Sequence, residues 1–526
     1  MPPDTPGEIA VERPVRAAEV VGALSLATDL GTGQPLEHAL RTTVIAMRLG
    51  EIVGASRREL ADTYWVALLH SSGCTSDGHE TVQLYGDDIA PRAAFVLVDA
   101  GNVSEIVAYL QSNVGLGRRA EERAVMVEQA ILNGLDMARQ TFAMHCEVAQ
   151  RFASWLGFTE GTQASLAHVF ERWDGHGFPG VTSGEAIPLP TRILHIARDV
   201  SVFLSSAGPE GARQVVESRS ASAYDPRLAE LAAQHLDEIL AGLDDTRIWD
   251  QALEAEPFPQ VWIAGERVDS AFAAIAAFTD LKSPWLREHS TGVAELAEAT
   301  AWRLDAPADT VTLIRRAALA HDLGRVGVSN AIWEKPGGLG FGEWERVRLH
   351  PHFTERAFAQ SAALAPIGLA AGSHHERLDG SGYQRGRRGP ALDQVARILA
   401  TADCYTAMRE ARPYRPALDA EAAEAELLRE AEQGRLDRQV VDAVLVAAGH
   451  RVHRRPRELP AGLTDRELEV LIILSRGASN QEIAGKLGIS PKTVGHHVQH
   501  VYRKADVRSR AAATLWAFEH DLVHAG

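Results

Sequence analysis

The sequence predicts an all-α protein: two tandem copies of one helical domain, followed by a small unit of short capped helices. Three observations carry that expectation. Apolar side chains recur with a period near 3.6 residues in runs such as ALRTTVIAMRLGEIV, EVAQRFASWLG and GVAELAEATAWRL, several of which end on glycine, while alternating strand patterns are scarce. Landmarks repeat at fixed spacing. His38 and His70 stand 32 residues apart, as do His289 and His321; His145 precedes Glu171 by 26, as His350 precedes Glu376; Arg192 follows Glu171 by 21, as Arg397 follows Glu376. Both copies also carry the pattern ERxDGxG, in ERWDGHGFP and in ERLDGSGYQ. Last, the C-terminal segment has successive helix starts: Thr464 with Glu467 and Ser479 with Glu482 at capping-box spacing, then Ser490 followed by Pro491, whose missing N–H costs nothing in a first turn.

These signals divide the chain into a tail at 1–20, a first copy at 21–255 with an insertion near 75–140, a joint at 256–269 containing Pro257 and Pro259, a second copy at 270–450, a basic linker at 451–461 and a last unit at 462–526. A chain of 526 residues, 45% hydrophobic and 23% charged, can bury several cores. No run approaches the roughly 18 to 20 apolar residues that a membrane span needs. The opening MPPDTPGEIAVERP is acidic and proline-rich, unlike a secretory signal, so a cytoplasmic protein is expected. Cys74, Cys146 and Cys404 are scattered, which argues against a disulfide framework or a thiolate zinc site. The net charge of −17 is unevenly spread: residues 451–526 hold 12 Lys/Arg and 8 Asp/Glu, a net of +4, which leaves −21 on the rest. An acidic body with a positive end would meet a polyanion by that end.

The second copy is organised around His321-Asp322-Leu323-Gly324-Arg325. A histidine followed by an aspartate near the end of an apolar helical run aims a nitrogen and a carboxylate oxygen at one cavity. Outward from it lie His289, His350, the pair His374-His375, and Asp403. Five imidazoles and two carboxylates suffice for two divalent ions, a carboxylate bridging them; this donor set suits iron, manganese, zinc or nickel. The first copy keeps His38, His70 and His145 but has Ser71 in place of Asp322, Val169-Phe170 in place of His374-His375, and Arg198 in place of Asp403. A fixed positive charge where a cation should sit argues against metal there. Its insertion could shape a ligand pocket or a dimer face. The glycine-rich stretch from Gly337 to Gly342 lacks the GKS or GKT of an ATPase phosphate loop and reads as a turn.

Residues 270–450 resemble the HD-GYP branch of the HD metal-dependent phosphohydrolases. The likeness rests on HSTGV from His289, HDLGRVG from His321, KPGGL from Lys335, HP at His350, HHERLDGSGYQ from His374, AD before Cys404 and RPY from Arg412. It implies an all-helical domain whose metal ligands are His289, His321, Asp322, His350, His374, His375 and Asp403, with Asp322 as bridge and iron or manganese ahead of zinc or nickel. It also implies a substrate loop with Asp379, Gly380, Gly382 and Tyr383, and hydrolysis of a cyclic dinucleotide such as cyclic di-GMP, with Asp322 and Arg325 as catalytic residues. The chain departs from the family pattern at four places. Arg325 replaces a lysine, keeping the charge but not the ability to donate a proton. Gln384 replaces the last residue of the GYP signature, leaving a less stiff loop. Trp285 stands where a glutamate supplies a third metal in some members, which favours two ions. Thr406 replaces an aspartate common beside the last ligand.

The last segment resembles the LuxR-type helix-turn-helix family in LTDRELEVL, GASNQEIAGKLGISPKTV and VYRKADVRSR. The resemblance implies that the helix from Pro491 enters the major groove of double-stranded DNA and that the protein is a homodimer. Lys492, Thr493, Gly495, His496 and Gln499 then face bases or the adjacent backbone, and Arg503, Lys504 and Arg508 face phosphates. Gly495 stands where many relatives carry a long basic residue, so the target sequence differs from theirs. Together the parts predict a DNA-binding transcription regulator with a dinuclear-metal phosphodiesterase domain. The alternative is an inactive nucleotide- or metal-sensing transcription factor whose helical domains only bind ligand and dimerise.

Overall fold

The structure is a computed structural model and describes residues 14–451, 460–520 and 522. Most of the expected tail and most of the 451–461 linker lie outside the described residues. The chain forms two compact units, 1–450 and 451–526. Among the described residues the only strands are Val15–Arg16 and Trp262–Ile263, which pair antiparallel and tie the start of the chain to the joint between the copies. Among the described residues no helix is long and apolar enough to cross a membrane.

The first unit confirms the duplication, because the same local devices recur. The helices His38–Ile52 and His289–Arg303 each start after a glutamate in the left-handed region, Glu37 at φ 72° and Glu288 at φ 61°. In each copy a buried aspartate accepts the amide that follows the first histidine: Asp29 from Ala39 at 3.2 Å, Asp280 from Ser290 at 3.1 Å. Two equivalent glycines mark where the chain crosses the next histidine. A Cβ on Gly73 would sit 2.0 Å from the His145 carbonyl oxygen, and one on Gly324 2.1 Å from that of His350. The two glutamates of ERxDGxG are both buried and pin the loop that follows. Glu171 accepts the amides of Gly180 and Val181, and Glu376 those of Arg385 and Arg387.

Helix Ala17–Thr32 begins inside the stretch expected to be tail. It is buried on nearly every side, because it packs on His38–Ile52 and also on His350–Ala359 of the second copy. Helix Glu266–Asp280 likewise starts within the expected joint. The insertion folds as helices Gly78–Tyr85, Ala90–Phe95 and Val103–Asn113 and the front of the long helix Ala120–Trp155, around a small core of Tyr109, Leu110, Val114 and Ala130.

In the second unit, helices Asp465–Ser475, Asn480–Leu487 and Pro491–Lys504 follow the expected caps, and a further helix, Arg510–Glu519, is capped by Ser509. Thr464 with Glu467 and Ser479 with Glu482 form capping boxes, and Gly488 at φ 63° makes the tight turn before the third helix. Leu471, Leu474, Ile483, Val494 and Val501 form the buried core, with Leu468, Leu487 and Ile489 packed against it.

Candidate metal centre

Four helices and one loop bring the seven expected donors to one buried focus. His289 opens its helix, His321 closes Ala308–Ala320, Asp322 follows it, His350 opens His350–Ala359, His374-His375 follow Ala365–Ala371, and Asp403 lies in Gln394–Arg409. The two carboxylates divide the imidazoles into two sets. Asp322 Oδ2 lies 3.6 Å from His289 Nε2 and 3.5 Å from His321 Nε2, while Oδ1 lies 3.4 Å from His350 Nε2 and 3.5 Å from His374 Nε2. Asp403 Oδ1 faces His289 at 3.4 Å and His321 at 3.8 Å, and Oδ2 faces His375 Nδ1 at 3.9 Å. Two donor groups result, His289 with His321 and Asp322, and His350 with His374 and His375.

Hydrogen bonding prepares these donors. The Nδ1 atoms of His321, His350 and His374 lie 2.6, 2.6 and 2.7 Å from the carbonyls of Ala318, Val347 and Ala371. A carbonyl only accepts, so Nδ1 carries the proton and Nε2 presents its lone pair inward. Burial keeps His321 and His350 neutral, pulling their pKa values down to about 4 and about 3. Two consequences point to a cation. His321 Nε2 is buried without a hydrogen-bond partner, and the Nε2 lone pairs of His350 and His374 face each other at 3.0 Å. Opposed lone pairs repel unless positive charge lies between them, so the residues present fit divalent metal. His289 is held differently. Burial opposes its charge, but bonds to Asp403 and Glu410 outweigh that and raise it to about 9. Glu410 is itself held by Arg412 at 2.7 Å.

Arg325 lies at the edge of this focus. Its Nη1 donates to Asp322 Oδ2 at 2.8 Å, its guanidinium carbon stands 3.9 Å above the Trp333 ring, and its buried Nε lacks a partner. Burial works against the Asp322 charge, yet the Arg325 guanidinium holds its carboxyl well below the usual range. The expected substrate loop also borders the site. The Tyr383 ring is 4.6 Å from that of His375, and a Cβ on Gly382 would sit 2.4 Å from the His375 carbonyl. Asp379 caps its own turn through Ser381 at the exposed end, and Gly380 takes φ 80°. Gln384 reaches Glu355 at 2.8 Å, an anchor that replaces the ring expected to stiffen this loop.

The description "HD domain" fits residues 121–228 and 274–440, a match in each copy and over more than half the chain. The chain belongs to the HD domain family. This HD protein is 33% identical to 3'3'-cGAMP-specific phosphodiesterase 3 of Vibrio cholerae over 411 residues, 77% of this chain and 89% of the relative. A crystal structure of a cyclic GMP-AMP phosphodiesterase from V. cholerae, V-cGAP3, superposes with a TM-score of 0.59 at 28% identity and covers 83% of this chain and 98% of that one. A share that large exceeds either copy alone, so the likeness spans the tandem. Residues 461–517 match bacterial regulatory proteins of the luxR family. The response regulator protein VraR of Staphylococcus aureus is 42% identical over 80 residues, 15% of this chain and 38% of VraR.

In the first copy the remaining imidazoles do not converge on a shared carboxylate: His70 Nδ1 lies 2.7 Å from the Ala67 carbonyl, and the buried His145 nitrogens have no hydrogen-bond partner. His38 Nδ1 lies 3.0 Å from Ser201 Oγ, and His145 Nε2 lies 3.2 Å from Asp77 beside the rings of Phe142 and Phe170. Arg198 pairs with Asp199 at 3.1 Å. Burial, with neighbouring positive charge that includes Arg198, pulls His38 down to about 3.

In the luxR unit, Lys492, His496, Gln499 and Arg503 stand exposed at the spacing of one helix face, and Arg508 is exposed beyond the helix. Gly495 is half-buried beside Asn480, and Thr493 shares the cap of Ser490 at 2.8 Å. Lys504 departs from the expected phosphate role. Its ammonium donates to Glu467 at 2.6 Å and to the Gly462 carbonyl at 2.7 Å, because the long stem folds back across the first helix. Sequence reasoning missed Glu410 and Trp333, which orient His289 and Arg325. Neither has a motif of its own; both act only once the fold closes.

Proposed function

We propose that this protein is a DNA-binding regulator whose second copy hydrolyses a phosphodiester bond of a cyclic dinucleotide, 3'3'-cGAMP ahead of cyclic di-GMP. The observation that carries the reading is the division of the donors by Asp322, one oxygen toward His289 and His321, the other toward His350 and His374. The named activity of the V. cholerae relative supports the substrate class. Two divalent ions, iron or manganese, held by the seven donors would supply Lewis acidity at a phosphoryl oxygen and a water of lowered pKa.

The chain's own groups bind and orient. Arg325 cannot give up a proton, so it serves as a phosphate contact beside Asp322. Stacking on Trp333 restricts its guanidinium to one plane. Tyr383 offers an aromatic face beside His375 for a base, and Gly380 and Gly382 let the loop backbone pass close by. In the reaction, a water oxygen bonds to phosphorus as the bond from phosphorus to the ribose oxygen breaks, and that oxygen leaves as a hydroxyl on a linear dinucleotide.

The C-terminal unit would place Lys492, His496 and Gln499 in the major groove and Arg503 and Arg508 on phosphates, in a homodimer. A face for the partner subunit is the exposed Leu132 and Leu135 of the long helix: antiparallel two-fold pairing there would set Leu132 on Leu135 and Glu128 on Arg139. Dinucleotide and DNA would then be linked, each changing the affinity for the other.

The test is purified full-length protein loaded with manganese and given 3'3'-cGAMP, cyclic di-GMP and a chromogenic phosphodiester. A linear dinucleotide that vanishes in Asp322→Ala is expected. Metal bound without product from any of the three would instead support a sensor.

A further inference from the structure

The insertion of the first copy reaches across to the second copy at two buried or half-buried points, on either side of one short helix. Asp88, fully buried, receives Lys282 Nζ on Oδ2 at 2.6 Å, and Ser329 Oγ and the Asn330 amide on Oδ1, both at 2.8 Å. Asn330 Nδ2 closes the ring by donating to the Lys282 carbonyl at 2.6 Å. Nearby, His79 Nδ1 lies 2.6 Å from Glu334 Oε2, whose other oxygen accepts from Ser283 Oγ at 2.6 Å. Asp88 thus sits at the start of helix Asn330–Trp333 and holds Lys282, and His79 sits at its end, on the Glu334 that holds Ser283. The fit is close. A Cβ on Gly78 would stand 2.8 Å from Asn330 Nδ2 and 3.0 Å from the Lys282 carbonyl.

Each clamped segment leads to the metal donors. Helix Asn330–Trp333 ends in the ring that lies under Arg325, and the Trp333 Nε1 donates to the Arg325 carbonyl at 3.3 Å; the same ring stands 5.4 Å from that of His350. The Lys282 turn continues to Trp285, whose carbonyl accepts from Arg412, which holds Glu410 against His289. We propose that the insertion is a positioning element for the metal centre, with Asp88 and His79 as positioning residues that set Trp333, Arg325 and His289. The copy with the depleted donor set thereby completes the copy with the full one. This deepens the reading given under Proposed function and rests on it for the turnover measurements.

The experiment compares full-length wild type, Asp88→Asn and His79→Gln in three measurements: manganese affinity by competition with a chelating dye, kcat and KM on 3'3'-cGAMP, and amide hydrogen exchange over residues 328–334. Asparagine keeps the size of Asp88 but removes the charge facing Lys282. Its expected effect is a loss of about tenfold in manganese affinity and in kcat, the scale of lost outer-sphere support, with KM unchanged and faster exchange over 328–334. His79→Gln should move all three in the same direction by less. A contact that serves only folding would lower the unfolding midpoint and leave manganese affinity and kcat alone, and that result overturns the proposal. If Asp88→Asn does not fold, His79→Gln decides, and wild-type manganese affinity and exchange in it overturn the proposal. If wild type binds manganese but cleaves no dinucleotide, the phosphodiesterase reading fails, while affinity and exchange still decide the clamp.

Discussion

The two copies share a skeleton and differ in what fills its centre. Asp29 and Asp280, Gly73 and Gly324, and Glu171 and Glu376 do the same work in each, through main-chain contacts that leave the donor atoms free. At the centre, Asp322 and Asp403 gather five imidazoles in the second copy, whereas Ser71, Val169, Phe170 and Arg198 occupy the equivalent positions in the first. There His38 turns to Ser201 and His145 lies beside Asp77. The fold therefore belongs to the skeleton and the chemistry to the filling. A duplicated domain can lose its donors, keep its shape and take on the work of bracing its twin.

The sharpest break in the comparison comes from Asp322→Ala, which should abolish turnover and leave the unit folded, because Ser71 already stands at the matching place. Turnover by high-performance chromatography together with circular dichroism checks it. Next come the crossing glycines. Gly73→Ala and Gly324→Ala each push a methyl against a main-chain carbonyl near 2 Å away and should each cost about 3 kcal/mol in chemical denaturation. Equal losses sharpen the claim of one skeleton; a mild loss in either copy breaks it. The loop pins are a smaller version of the same test. Glu171→Gln and Glu376→Gln weaken two charge-assisted bonds to amides, about 1 to 2 kcal/mol each, and only Glu376→Gln should also slow turnover. The smallest effect lies in the C-terminal unit. Arg503→Ala should lower the salt slope of DNA binding by about 1 in a titrated mobility shift, while Lys504→Met, which removes an internal partner of Glu467, should lower the melting temperature of that unit.

Much of this was legible in the sequence, for physical reasons that also explain what was not. Repeated spacings exposed the duplication because a helical pair that must bring His38 to His70, or His289 to His321, fixes the chain length between them. The caps of Thr464, Ser479 and Ser490 are local, so the C-terminal helices could be read directly. What came from far away in the chain could not. Glu410 reaches His289 over 121 residues and Asp88 reaches Asn330 over 242. Lys504 was legible as part of a basic helix end, but the fold-back of its stem onto Glu467 depends on tertiary packing. The expected tail overlaps the start of helix Ala17–Thr32 because burial of that helix on nearly every face hides the one-sided pattern that marks a surface helix.

The most direct test of the account is the metal content of purified full-length protein by mass spectrometry, for wild type, Asp322→Ala, and a first-copy double variant His38→Ala with His145→Ala. The account predicts two equivalents per chain in wild type, the same two in the first-copy variant, and a loss in Asp322→Ala. Metal that stays with Asp322→Ala, or leaves with the first-copy histidines, would contradict it.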